Sequence, residues 1–243
     1  MRRFETCGAL TACALLGGCF GFSSTTDINI SDSGVFVPSG RVSIDISPKA
    51  TAPSDPHSGH GIELELTGAS GSGNQTLGAG QQPVVLAGQT FSAPQQLKGD
   101  FDFKFGEVAY RWRSFYGSGA VGIEALGGLG YVGLDLTLAS PTQRASANLD
   151  SVGLVGAFGL IWRMRPGTSL QTRYTAFGSG KSDAINSAGR FDLFLSQALG
   201  RHAAIKGGYT AWTLHSSRET SDNVASDVRV KFSGPALGLE VMF

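Results

Sequence analysis

The residues with the most chemistry in one place are LHSSRE, 214 to 219. His215, Ser217 and Glu219 fall on one side of an extended chain. A serine hydrolase needs a hydroxyl, a base to take its proton and an acid to orient the base. The residue types are present, but positions i, i+2 and i+4 of one strand do not converge on a common point. The stretch therefore reads as a polar loop, no catalytic residue is assigned, and no enzyme activity is expected. His57 and His60, in HSGH, have no Cys or acidic cluster beside them and read as polar linker residues, so no metal site is expected. GSGNQTLGAG has no GK[ST] and no helix following it. The glycines of GLGYVG lie in a strand pattern, and no cofactor is expected.

A larger constellation is spread along the chain. Glu63, Glu65, Glu107, Arg111, Arg113, Glu124, Arg163, Arg165, Arg173, Asp192, Lys206 and Glu240 each sit opposite an aliphatic stripe of the same segment. Six are acidic and six basic. A lone charge enclosed by protein destabilises it by roughly 3–5 kcal/mol, whereas opposite charges on neighbouring strands can pair. The set reads as a plugged, ion-paired lumen. The alternative is a narrow channel, which needs those charges to leave a continuous water path.

The segments that carry these charges alternate with period two, the mark of strands with two different faces. Eight strands are expected, at 61–68, 101–115, 118–138, 151–165, 168–177, 189–199, 202–214 and 227–243. Three of them change phase, near Gly106, between Gly128 and Gly133, and near Gly234-Pro235, where bulges or kinks are expected. Connections alternate long and short, with loops near 69–98, 139–149, 178–188 and 215–226 and short turns at Tyr116-Gly117, Pro166-Gly167 and Gly200-Arg201. That is an up-and-down meander with both ends on the short-turn side. Tyr110, Trp112 and Trp162 share the aliphatic face just before short turns, as an interfacial aromatic girdle would.

The 243 residues include 35 Gly, and only 16 % are charged. After the first 25 positions no apolar run is long enough for a membrane helix. Net charge is zero, which argues against a nucleic-acid partner. MRR followed by the small and apolar CGALTACALLGG has the length and order of a signal peptide over 1–18. LLGGC, ending at Cys19, resembles a bacterial lipobox, which implies lipid on Cys19. Without residues 1–18 the balance is 17 basic to 18 acidic. Residues 19–59 read as a periplasmic linker, with a small hairpin possible between VFV (35–37) and RVSIDIS (41–47), and 60–243 as the barrel.

The closing segment GPALGLEVMF resembles the C-terminal signal of outer-membrane barrel proteins, with Gly238, Val241 and Phe243 at its marked positions. From about residue 60 onward the chain resembles the OmpA/OmpX-type family of small barrels. The resemblance implies an all-β, eight-stranded antiparallel up-and-down transmembrane β-barrel in the cell outer membrane, present as a monomer. Its implied partners are outer-membrane lipid, lipopolysaccharide and the barrel-assembly machinery. The implied role is structural or surface interaction. LHSSRE is also similar to the His-x-Ser-Asn pattern of outer-membrane lipid A deacylases, but Arg218 stands where that pattern has Asn.

Overall fold

Period-two patterning is realised throughout. The computed structural model describes residues 25–29, 35–46, 58–81, 83–116, 119–180, 185–218 and 226–243, and no described residue is helical. The strands are β1 (Thr25–Asn29), β2 (Val37–Asp45), β3 (Gly59–Leu77), β4 (Val84–Leu86), β5 (Gln89–Phe91), β6 (Gln95–Tyr116), β7 (Val121–Ala139), β8 (Arg144–Arg165), β9 (Thr168–Gly178), β10 (Ser187–Ala198), β11 (Ala203–Arg218) and β12 (Ser226–Met242). One sheet runs β2-β3-β6-β7-β8-β9-β10-β11-β12, each neighbour antiparallel to the next. It closes on itself because β12 also pairs with β2, in parallel, from Ala236↔Val37 to Met242↔Ser43. β1 extends that parallel seam, pairing Thr25 to Asn29 with Asp227 to Lys231. β4 and β5 form a separate hairpin.

The ring therefore has nine strands where eight were expected, and the last strand meets β2 rather than the 61–68 strand. The added strand comes from the expected linker. It runs straight through Pro38-Ser39-Gly40 instead of turning there. Pro38 is tolerated because the β2–β3 ladder starts only at Ser39, so no pairing on that side needs its missing N–H. Two glycines of β12 make room for the seam. A Cβ at Gly234 would lie 1.9 Å from the Val35 carbonyl oxygen, and one at Gly238 would lie 2.6 Å from Ser39 Oγ.

The expected phase breaks are absent. Pairing runs unbroken through Gly106 on both sides of β6, through Gly128–Gly133 between β7 and β8, and through Gly234-Pro235 between β11 and β12. One register shift interrupts the β8–β9 ladder, between Arg163 and Arg165. The strands also outrun the expected loops. β7 and β8 absorb most of 139–149 and leave Ser140–Gln143 as the turn, closed by Ser140 N–H donating to the Gln143 carbonyl at 2.8 Å. β3, the hairpin and β6 take up most of 69–98.

At the opposite rim the turns are tight. Gly167 has φ +73°, a conformation glycine adopts without strain, and Ala198 N–H donates to its carbonyl at 2.7 Å. The chain ends at this rim. Phe243 N–H donates to Ser43 O and Asp45 N–H to Phe243 O, both at 2.9 Å.

Candidate functional site

Each ring strand keeps one parity inward along its whole length, yet the inward residues change character. On β6 the sequence inward is Leu97, Phe101, Phe103, Phe105, then Glu107, Ala109, Arg111, Arg113, all buried. Outward it is Lys98, Asp100, Asp102, Lys104, then Val108, Tyr110 and Trp112. The two faces exchange polarity at Gly106. Toward the short turns the ring is apolar outside and charged inside. Toward the long connections it is charged outside and apolar inside.

In the short-turn half, six acids and six bases are buried: Glu63, Glu65, Glu107, Glu124, Asp192 and Glu240 with Arg41, Arg111, Arg113, Arg173, Arg190 and Lys206. Arg173 on β9 is the hub. It reaches Glu63 on β3 at 2.6 Å and Glu124 on β7 at 2.5 Å, and lies 3.6 Å from Glu65. Arg113 closes on Glu124 at 2.5 Å. Arg41 of the seam strand bridges Glu63 at 3.1 Å and Glu65 at 2.5 Å. Arg111 pairs with Glu63 at 3.4 Å and with Asp45. Lys206 meets Glu240 at 2.5 Å, and Ser43 Oγ donates to the same carboxylate. Arg113–Glu124, Arg41–Glu65 and Lys206–Glu240 join neighbouring strands, whereas Arg173–Glu63 joins β9 to β3 across the ring, so the network both lines the interior and spans it.

Glu63, Glu65 and Glu107 bring three carboxylate oxygens within 4.8 Å of one another, the one grouping of possible metal ligands among the described residues. Glu63 and Glu65 already hold guanidinium groups, so a cation there would have to displace Arg173 or Arg41. Glu107 makes no hydrogen bond, and its nearest cation, Arg173, is 3.9 Å away.

Arg190 joins the two halves. Its Nη2 lies 2.5 Å from Glu65 and its Nε 2.7 Å from Asp192, while its guanidinium stacks 5.2 Å from the Trp212 ring centre. Above it, Phe103 packs edge-on to Trp212 at 4.7 Å and to Phe232 at 5.0 Å, and Phe101 contacts Phe232 at 5.0 Å. The hairpin adds Val84, Leu86 and Phe91 to this apolar cluster, all buried. Gln143 Nε2 donates to Thr90 O at 3.0 Å and ties the hairpin to the β7–β8 turn.

Ten of the twelve sequence-derived lumen charges are buried inside. Two are not. The register shift at Arg163/Arg165 places them at the short-turn rim: Arg163 is half-buried, with its guanidinium 4.3 Å over Phe115, and Arg165 is exposed. Arg41 and Arg190 were missed. Arg190 has the parity of Asp192, two residues on, and that spacing was a usable signal. Arg41 was hidden by reading its segment as linker, although Val42, Ile44 and Ile46 alternate beside it.

Of the three LHSSRE candidates, only the His215 side chain is among the described residues. His215 is half-buried on the outward face of β11, opposite Ser187 and Arg229. Ser217 follows two residues later on the same strand, and Glu219 and Cys19 lie outside the described residues. His60 bonds Tyr110 Oη through Nδ1 near the short-turn rim, and His57 lies outside the described residues. Of the closing motif, Gly238 faces inward, Val241 is half-buried, and Phe243 is 62 % exposed and stacked on His202. Among the described residues no helix is long and apolar enough to cross a membrane. Comparison of the chain with protein-family models, with curated proteins and with solved structures finds no match.

Proposed function

We propose that the protein is an integral outer-membrane β-barrel of nine strands, with a closed lumen and a structural or surface-interaction role. One observation carries the reading: every strand of the ring exposes large apolar residues over its short-turn half, backed by buried ion pairs. Ile44, Leu64, Val108, Leu129, Phe158, Tyr174, Leu193, Tyr209 and Leu239 are each about 40–70 % exposed. In water such a continuous belt would drive aggregation. In a bilayer it is the lipid-facing band, and Tyr110 and Trp162, near the short turns, are the interfacial aromatics.

The short turns and Phe243 then face the periplasm, and the long connections face outward. The belt contacts outer-membrane lipid and lipopolysaccharide, and the closing segment engages the assembly machinery. The crown above the belt, with its charged exterior, is the part offered to other surfaces. It shares short-turn architecture with OmpA/OmpX-type barrels and differs from them in its ninth strand.

The test is electrophoretic mobility of unboiled and boiled outer-membrane fractions. A heat-dependent shift supports a closed barrel in the membrane, whereas protein that stays soluble without detergent overturns the reading. In planar bilayers the purified protein is expected to be silent, because ion pairs and the apolar crown block the lumen in series. Steady unitary currents would make it a channel.

A further inference from the structure

We infer that the N-terminal segment crosses the membrane as the ninth strand and delivers the chain that precedes it to the cell surface, so that an acyl group on Cys19 lies in the outer leaflet. The inference rests on the membrane reading above and adds a sidedness to it.

The argument is one of strand parity. A meander of eight strands returns its two ends to the same rim. With nine strands, the ends emerge at opposite rims. β12 starts at Ser226, beside the connection from β11, and finishes at the short-turn rim, where Met242 N–H donates to His202 O. β2 runs parallel to it, so Val37 is level with Ala236 and Ser43 with Met242. β1 is parallel as well, which sets Thr25 level with Asp227 at the long-connection rim.

Three further features mark β2 as a membrane strand and not a linker lying against a finished barrel. Its outward residue Ile44, and Ile46 just past its end, continue the apolar belt, at 49 % and 58 % exposure. Its inward Arg41 is buried in the ion-pair network. Gly234 and Gly238 leave β12 bare where the seam comes closest.

Chain reach then fixes the leaflet. The six residues from Cys19 to Thr25 span at most about 20 Å when fully extended. The apolar band of such barrels is about 25 Å tall. With β1 paired at the long-connection rim, above the belt, this reach falls short of the inner leaflet, so lipid on Cys19 has only the outer one to enter.

The test uses the full-length chain in cells. A short epitope is placed between Phe22 and Ser23 in one version and between Ser182 and Asp183, in the β9–β10 connection, in another. Antibody binding is compared in intact and permeabilised cells. The expected result is equal binding before and after permeabilisation at both sites. Binding at 22/23 only after permeabilisation, with 182/183 still bound on intact cells, overturns the inference and leaves the membrane reading standing. If 182/183 is also silent on intact cells, the membrane reading fails and takes the inference with it. Because an insertion can disturb the seam, Ser23→Cys and Asp183→Cys in a Cys19→Ala background are probed with a membrane-impermeant maleimide. Full labelling at residue 23 on intact cells is expected here too, since strand pairing and not the lipid sets the side. Protection of residue 23 while residue 183 is labelled overturns it.

Discussion

The two halves of the ring use the same backbone and the same inward parity, yet they are opposite solutions. Near the short turns, Glu63, Arg173 and Glu124 are inside and Leu64, Phe158 and Leu160 outside. Near the long connections, Phe103, Leu136 and Phe232 are inside, and Lys98, Asp102 and Lys104 outside. The upper half is built like a water-soluble barrel and the lower half like a membrane one. The difference teaches that alternation fixes only which residues share a face. The surrounding solvent decides which face must be apolar, and on the membrane reading proposed above that solvent changes once along the strand.

The largest way to break the comparison is to remove the hub of the charged half. Arg173→Ala leaves the buried Glu63 and Glu124 each short of one partner. It is expected to destabilise the barrel by about 5 kcal/mol, the upper end of the range for breaking buried pairs. The loss would be read from urea unfolding of the refolded protein in lipid vesicles. Phe103→Ala makes the corresponding change in the apolar half. It opens a cavity against Trp212 and Phe232, with an expected loss of about 3–4 kcal/mol in the same assay. Placing one charge on each exterior sharpens the contrast. Leu160→Arg puts a cation into the lipid belt and should cost about 2–3 kcal/mol. In the crown, Lys104→Ala removes only a surface pair with Asp102 at 3.4 Å. It should change stability by under about 0.5 kcal/mol. Equal effects for Leu160→Arg and for a new charge on the crown exterior would show that both halves meet the same solvent.

Much of this was legible in the sequence. The alternation of 168–177 and 189–199 located β9 and β10 to within two residues, and ten lumen charges followed from parity alone. What misled was the exchange of polarity. FDFKFGEVAY reads as a change of phase because its apolar residues switch from odd to even positions at Gly106. A bulge is the simplest cause if the solvent is assumed constant. The structure keeps the register and exchanges the polarity of the two faces instead. The same assumption ended β3 at 68 and began β6 at 101 and β8 at 151, since ASGSGNQTL and ASANLDS look like loops once their outer face turns polar. β2 was lost for a different reason: Pro38 and Gly40 read as turn residues, and only pairing with a strand at the far end of the chain makes them extended.

That seam carries a kinetic consequence. β2 and β12 pair residues about 200 positions apart, as in Val42↔Val241. Contacts between such distant positions form late, because the loop they close must be ordered first. Every other strand pairing of the ring joins ring strands that follow one another in the chain and can accumulate hairpin by hairpin. The curled sheet is therefore expected to persist with two open edges until its final strand arrives. In that interval the unpaired edges of β2 and β12 are free to capture a strand from another chain. Rapid closure, more than the stability of the closed ring, is what then keeps newly made molecules from joining edge to edge.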